Sequence, residues 1–122
     1  MNRRSVLSAL LALAVPDAAK AADEVVLLYV TQPGCPYCAR WERQIGPIYP
    51  NSPEARRAPL RQIDRHDATL GMLDLAAPVV FTPTFILISG EREIGRVTGY
   101  VDEAFFWGQL ERQMARLPAP RS

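Results

Sequence analysis

Apolar residues fall into short runs that predict the strands of a sheet. Residues 25–30 form a continuous apolar run, rich in β-branched and aromatic side chains, which is typical of a strand buried on both faces. The segment of residues 60–64 is short and its side chains alternate between the two faces of an extended chain, which predicts a second strand. Residues 85–88 and 93–97 flank a turn that contains Gly90, and we expect them to pair as a β-hairpin.

Three further segments have the pattern of helices. The first begins at Pro36 and ends before Gly46, and the second covers residues 67–76. The third follows Asp102, after which apolar side chains recur at helical spacing up to Leu117. The predicted order of elements is β-α-β-α-β-β-α. A proline-rich connection with one short capped turn joins the first helix to the second strand.

The N-terminal segment, residues 1–21, has the layout of a signal peptide. A start with two arginines is followed by an uncharged apolar stretch at residues 5–16, shorter than the roughly 20 residues that span a membrane. Ala19 and Ala21 are small residues at the positions that a signal peptidase recognises. We expect cleavage after Ala21, export to the periplasm by the Sec or Tat route, and a mature domain of residues 22–122. An amphipathic helix is the alternative, disfavoured because leucines surround every face.

Length and charge limit the class of protein. A chain of 122 residues is the size of one domain. Its 14 basic and 13 acidic residues leave a net charge of +1 without a basic block, so nucleic acid is not an expected partner. After removal of the signal peptide no lysine remains, which excludes Schiff-base chemistry and a lysine-based phosphate loop.

The candidate chemistry lies in two cysteines, Cys35 and Cys38, at the start of the first predicted helix. Cys35 lies near the positive end of the helix dipole, which stabilises a thiolate, so we expect it to be the exposed nucleophile. Cys38, one turn further in, would resolve the mixed disulfide. The alternatives are a structural disulfide and a copper carrier that uses the two thiolates. The sole histidine, His66, lies in a polar loop and is expected to be solvated, so we expect no metal site and no cofactor beyond the disulfide.

The cysteines stand in the motif Gly34-Cys35-Pro36-Tyr37-Cys38, and a second motif, Phe81-Thr82-Pro83-Thr84-Phe85, lies at the start of the hairpin. Together these motifs resemble the thioredoxin superfamily. The resemblance implies an α/β protein with the thioredoxin fold, a central mixed β-sheet flanked by helices. It also implies that the Thr82–Pro83 bond is cis and faces the cysteines, so that the Thr82 backbone pairs with an extended substrate; a plain trans turn is the alternative. Pro36 and Tyr37 would contact the partner beside the nucleophile.

Further segments narrow the resemblance to one subgroup. They are residues 33–38, 47–50, 57–61 and 105–107, which resemble the SoxS-type periplasmic thioredoxins of bacterial sulfur-oxidation systems. The resemblance implies a thiol-disulfide oxidoreductase that keeps a sulfur-oxidation protein, a thiol or persulfide carrier, reduced. A membrane thiol-electron transporter would supply the electrons. A disulfide-forming oxidant and a glutaredoxin-like protein remain as alternatives.

The chain departs from ordinary thioredoxins in two places. They have a tryptophan before the first cysteine and a buried carboxylate six positions ahead of it, where this sequence has Gly34 and Tyr29. The usual proton acceptor for the second cysteine is therefore absent. Water, Glu24 or another acid would assist, or the proton transfer would be slower.

Aromatic and cationic residues near the site have simpler explanations. For Trp41 and for residues 105–107 we expect core packing rather than a binding platform. Arg40 and Arg43 are expected to lie on a solvated helix face.

Overall fold

The structure is a computed structural model that describes residues 24–118. The predicted signal peptide and its cleavage site lie outside the described residues. Among residues 24–118, no helix has the length and apolar character needed to cross a membrane. The regular elements, in chain order, are β1 (Val25–Thr31), α1 (Pro36–Gln44), α2 (Pro53–Arg57), β2 (Leu60–Asp64), β3 (Thr84–Ser89), β4 (Arg92–Thr98) and α3 (Glu103–Met114), with 3-10 turns at Tyr49–Asn51 and Ala68–Met72.

The four strands form one mixed sheet in the order β2-β1-β3-β4. Strand β1 is parallel to β2 and antiparallel to β3, and β3 pairs with β4 as the predicted hairpin. Side chains of β1 alternate between the two faces, so Leu27 and Tyr29 join one apolar cluster while Leu28 and Val30 join the other. The prediction of a central strand buried on both faces is confirmed, as is the mixed α/β architecture.

An aromatic cluster joins α1 and α3 to one face of the sheet. The ring centroid of Trp41 in α1 lies 4.9 Å from that of Phe85 in β3, and Phe85 lies 4.9 Å from Phe106 in α3. All three side chains are buried. Rigid rings in mutual contact fix the position of a helix closely, because each ring restricts the others. The start of α1 is therefore held in a defined place relative to the start of β3.

The residues expected to pack in the core do so with one exception. Trp41 and Phe106 are buried, and the partly buried Trp107 stacks on Tyr49 with ring centroids 6.0 Å apart. Phe105 is 37% exposed, so the prediction of core packing is wrong for this residue. Phe105 and the buried Phe106 are neighbours in α3, and helical geometry directs successive residues to different faces. When Phe106 faces the core, Phe105 therefore lies on the outer side of the helix.

The helix predicted over residues 67–76 is only a single 3-10 turn, Ala68–Met72. Asp67 does cap it, since its carboxylate accepts a hydrogen bond from the Thr69 amide at 2.8 Å. The chain then becomes extended at Leu73, and the Asp74 amide donates to a carbonyl oxygen in the β3-β4 turn. Pairing with the hairpin and packing of leucines from an extended segment replace the expected helical turns.

The capped turn predicted in the proline-rich connection is a short helix, α2. The Ser52 hydroxyl at its N-cap accepts a hydrogen bond from the Ala55 amide at 3.1 Å, and a proline occupies the first helical position. The preceding turn is anchored by Tyr49, whose hydroxyl donates to the Ala58 carbonyl at 2.7 Å. The connection is therefore ordered by hydrogen bonds from its own side chains.

Candidate active site

The two cysteines form a disulfide at the N-terminus of α1. Strand β1 ends at Thr31, and the chain turns through Gly34, whose φ of +76° favours glycine. Cys35 then caps the helix and Pro36 occupies its first turn, where no amide hydrogen is needed. The Cα atoms of Cys35 and Cys38 are 5.2 Å apart. The predicted arrangement of strand, tight turn and helix thus brings both sulfurs to one end of the sheet.

The two sulfurs lie in different surroundings. Cys38 is only 2% exposed, whereas Cys35 is partly exposed. The Cys35 sulfur accepts a hydrogen bond from the Cys38 amide at 3.2 Å, which places it against the first free amides of α1. A thiolate at this point would be stabilised by those amides and by the helix dipole. The geometry therefore suits Cys35 to attack from the surface and Cys38 to react from within.

The turn before β3 lies directly beside Cys35. The Thr82–Pro83 peptide bond is cis, and the Thr82 carbonyl oxygen is 3.4 Å from the Cys35 sulfur. Pro83 is buried, and its carbonyl accepts a hydrogen bond from the Gly99 amide at 2.7 Å. The Thr84 hydroxyl donates to the Phe81 carbonyl at 2.6 Å. The turn is held on both sides, with its Thr82 end facing the disulfide.

Pro36 and Tyr37, between the cysteines, are both exposed. Three apolar side chains in the segments around the disulfide are exposed. Tyr37 is 57% exposed, Phe81 beside Thr82 is 66% exposed, and Val101, two residues after Gly99, is 57% exposed. We call Tyr37, Phe81 and Val101 the apolar rim. Exposed apolar side chains that cluster beside a reactive group are typical of a protein-binding surface. Sequence reasoning missed the exposure of Phe81 and Val101, because both continue apolar segments.

A tyrosine-glutamate pair lies beneath α1, on the side of Cys38. The Tyr29 hydroxyl donates a hydrogen bond to the Glu42 carboxylate at 2.7 Å and lies 3.4 Å from the Cys38 carbonyl oxygen. Burial, together with the neighbouring Glu42 carboxylate, raises the pKa of the Tyr29 phenol, so it remains a hydrogen-bond donor. Sequence reasoning missed Glu42, although its position four residues after Cys38 on a helix could have suggested it.

An open groove of about 360 Å³ runs between the end of β1 and α1. Its walls include Cys35, Cys38 and Glu42. Glu24, a candidate proton acceptor in the sequence, lies elsewhere: it precedes β1, and its carbonyl accepts from the Gly90 amide in the β3-β4 turn. The length of β1 separates it from the disulfide, about 20 Å at the rise of a strand. Of the two acids, only Glu42 shares a surface with the cysteines.

The remaining candidate residues lie around the site without entering it. The Arg40 guanidinium sits over the Tyr100 ring, 5.6 Å from its centroid, so this arginine is packed rather than freely solvated as expected. The Tyr100 hydroxyl donates to the Gln44 side chain at 2.5 Å. Arg43 and His66 are exposed, as expected. Within residues 24–118 no group of three or more His, Cys, Asp or Glu side chains is arranged to hold a metal ion.

The disulfide lies at a helix start beside a cis-proline turn, and one of its sulfurs is accessible while the other is buried. This arrangement, together with the mixed sheet, defines a thiol-disulfide oxidoreductase with the thioredoxin fold. The chain belongs to the thioredoxin-like family: the Thioredoxin-like domain matches residues 14–113. Among curated proteins, none matches the chain.

The chain is similar in sequence and structure to thioredoxins of known structure. It is similar to the periplasmic thioredoxin SoxS from Paracoccus pantotrophus in its reduced form, with 47% identity over 76% of this chain and 98% of that one, at a TM-score of 0.73. A thioredoxin from Thermus thermophilus is 21% identical over 83% of this chain and 84% of that one, with a TM-score of 0.56. A thioredoxin from Malassezia sympodialis is 18% identical, with coverages of 75% and 76% and a TM-score of 0.55. The last two share the fold alone.

Proposed function

We propose that the protein is an exported periplasmic reductase that keeps a thiol or persulfide carrier protein of a sulfur-oxidation system in its reduced, active form. The observation that supports this proposal most directly is the similarity to periplasmic SoxS, which extends over nearly the whole length of that protein. The signal-peptide layout of residues 1–21 supports export. The mature protein would begin at Ala22.

In the proposed reaction Cys35 is the nucleophile and Cys38 the resolving thiol. The Cys35 thiolate attacks one sulfur of a partner disulfide, and the other partner sulfur leaves as a thiolate that takes up a proton. Cys38 then attacks the Cys35 sulfur of the mixed disulfide and releases the second partner thiol. The partner gains two electrons and the protein becomes the Cys35–Cys38 disulfide. With a persulfide, Cys35 takes the outer sulfur and Cys38 releases it as hydrosulfide.

The partner would be held by backbone and by apolar contact. Thr82 offers its backbone groups to an extended segment of the partner, close to the Cys35 sulfur. Pro36 and the apolar rim (Tyr37, Phe81 and Val101) supply exposed apolar surface around that point. A membrane thiol-electron transporter would return the disulfide to the dithiol by the same kind of exchange, approaching the same face.

The direction of electron flow is tested by the reduction potential of the Cys35–Cys38 pair. The mature protein is equilibrated with thiol and disulfide buffers, and its alkylated cysteines are counted by mass. We expect a value near the thioredoxin end of the scale, about −270 mV. A value near about −120 mV would make the protein a disulfide-forming oxidant and contradict the reductase proposal.

The partner is tested by trapping. In the Cys38→Ala variant the mixed disulfide cannot be resolved, so the carrier protein should remain attached to Cys35 when the variant is recovered from its native periplasm. The matched control, Cys35→Ala, should trap nothing and lose reductase activity. Failure of Cys38→Ala to capture a disulfide-linked protein, with activity retained in Cys35→Ala, would contradict the assigned roles.

A further inference from the structure

The burial of Cys38 hinders the deprotonation that its thiol needs in order to react. A thiol attacks a disulfide only as the thiolate, so the Cys38 proton must leave before the mixed disulfide can be resolved. With 2% of its surface exposed, Cys38 has little direct contact with solvent that could take this proton. Burial also disfavours the charged form of the thiol. A base close to Cys38 would remove the difficulty.

We propose that Glu42 accepts the proton of Cys38 and that Tyr29 is a positioning residue that holds the Glu42 carboxylate for this transfer. Cys38 and Glu42 lie four residues apart on α1, and side chains at this spacing are neighbours on one helix face, with Cβ atoms about 5–6 Å apart. Both border the same open groove. Transfer over this separation occurs directly or through one water molecule. The inference rests on the roles proposed above for Cys35 and Cys38.

Tyr29 explains how an exposed glutamate is kept at this point. Its hydroxyl donates to one carboxylate oxygen of Glu42, leaving the other oxygen free to accept a proton. The Tyr29 ring is fixed between Trp41 and Phe85, with centroid distances of 4.7 and 5.3 Å. A hydroxyl on so rigid a ring limits the rotamers of an otherwise mobile side chain. Tyr29 therefore links the aromatic core to the acid beside Cys38.

The step is balanced in both directions. The proton moves from the Cys38 sulfur to the Glu42 carboxylate, and the resulting thiolate attacks the Cys35 sulfur. A bond forms between Cys35 and Cys38, the bond from Cys35 to the partner breaks, and the partner leaves as a thiolate. The proton on Glu42 passes to that thiolate or to solvent through the open groove. When the protein disulfide is reduced, Glu42 takes up a proton from the attacking thiol of the reductant or from solvent and passes it to the Cys38 thiolate that is released.

The inference is tested by following reduction of the small disulfide DTNB by the reduced mature protein. Attack by Cys35 releases one coloured thiolate, and resolution by Cys38 releases a second, so stopped-flow absorbance separates the two steps. We expect Glu42→Gln to slow the second phase about tenfold and to leave the first at or above its original rate. General bases contribute about 10²–10⁴-fold, and solvent in an open groove recovers part of this. The loss of a negative charge would only favour the approach of anionic DTNB.

Matched variants separate proton transfer from other effects. Glu111→Gln changes an exposed glutamate on α3 and should leave both phases unchanged. Tyr29→Phe removes the hydroxyl alone and should slow the second phase by a smaller factor than Glu42→Gln. A first phase at the original rate shows in each case that Cys35 keeps its native surroundings at the start of α1.

Chemical rescue gives a result that a structural role would not produce. In Glu42→Ala, added formate should enter the groove and restore the second phase, with no effect on the original protein. A second phase at the original rate in Glu42→Gln, or a slow phase in Glu42→Ala that formate does not restore, would overturn the inference. Cys38→Ala should release one thiolate only. If it still releases two, the cysteine roles themselves are wrong, which is a separate failure.

Discussion

The Cys35 sulfur lies 3.4 Å from the Thr82 carbonyl oxygen, although the two residues are 47 positions apart in the sequence. The pairing of β1 with β3 brings them together. Val30 near the end of β1 is opposite Thr84 at the start of β3, so the turn that follows β1 and the turn that precedes β3 emerge side by side. One strand register thereby fixes the positions of Cys35, the proposed nucleophile, and of the backbone that would bind its partner.

The unequal exposure of the cysteines predicts selective alkylation. In the reduced protein, limiting iodoacetamide at neutral pH should modify Cys35 first, because its sulfur is partly exposed and lies at the positive end of α1. Cys38 should react only after unfolding in denaturant. Peptide mass mapping after a short reaction measures the ratio. Equal labelling of the two cysteines in the native protein would contradict the assigned roles.

If the apolar rim binds the partner, a substitution in it should impair the reaction with a protein disulfide but not the reaction with a small-molecule disulfide. Phe81→Ser should raise KM for a protein disulfide roughly tenfold, since a well-buried aromatic contact at an interface contributes about 1–2 kcal/mol or more. It should leave the rate with DTNB nearly unchanged, because that rate depends on the Cys35 thiolate, and the substitution leaves the Thr82 and Cys38 backbone groups beside the Cys35 sulfur in place. Met72→Ser is the control, since Met72 is 75% exposed on the 3-10 turn after β2. Equal effects of the two substitutions would exclude the rim as the partner surface.

The fold could be predicted where local pattern and tertiary structure agree. Residues 60–64 and the hairpin were correctly predicted, because strand pattern and turn chemistry both appear in the sequence. The segment over residues 67–76 misled the prediction. Its leucines and the Asp67 cap are compatible with a helix, but backbone pairing of Asp74 with the hairpin favours an extended chain. That pairing is a long-range contact that local patterns do not encode.

The cysteine pair of the site could be predicted from the sequence, whereas the side chains packed around the pair could not. Cys35 and Cys38 carry a recognisable spacing, and the helix start follows from the residues around them. The hydrogen bond from Tyr29 to Glu42 could not be predicted, because it joins β1 to α1 across a distance that depends on helix-sheet packing. The sequence has Tyr29 where ordinary thioredoxins have a buried carboxylate, but only the structure shows that Tyr29 binds Glu42 and that Glu42 borders the same groove as Cys38.

Gly46, just after α1, is predicted to be sensitive to an added methyl group. A Cβ atom at this position would lie 2.5 Å from the Glu42 carbonyl oxygen, a backbone atom that cannot rotate away. We expect Gly46→Ala to lower the free energy of unfolding by about 1–3 kcal/mol, the usual range for overpacking. Urea denaturation of the oxidised protein measures the change.

Gly71 provides the matched control for that substitution. A Cβ atom there has no atom within 4 Å, and its φ is not positive. Gly71→Ala should be neutral or raise the free energy of unfolding by about 0.4–1 kcal/mol, because alanine reduces the conformational freedom of the unfolded chain. If both alanine variants were equally stable, the close approach at Gly46 would not be a real constraint.

An ion pair ties the hairpin to the segment that leads to the cis-proline turn. Arg96 contacts the Glu93 carboxylate at 2.7 Å and donates to the Ala77 carbonyl at 2.7 Å. Glu93 accepts from the Ala76 amide at 2.8 Å, and its side chain is only 5% exposed. The hydrogen bonds from Arg96 lower the pKa of the Glu93 carboxyl, with the Ala76 amide adding to the effect. The folded protein therefore stabilises the carboxylate form of Glu93 relative to the unfolded chain.

This linkage predicts a pH-dependent loss of stability in Glu93→Gln. Because the folded pKa of Glu93 is lowered, its contribution is complete above the unfolded value of about 4.3 and declines as pH falls through the lowered folded value. At pH 7 the substitution should lower the free energy of unfolding by about 2 kcal/mol, typical of hydrogen bonds to a charged group. The difference from the original protein should shrink below about pH 4. Glu91→Gln, an exposed neighbour, should stay within about 0.5 kcal/mol throughout. Urea titrations from pH 7 to pH 3 measure both variants, and a difference for Glu93→Gln that persists unchanged at low pH would show that the ion pair is not its cause.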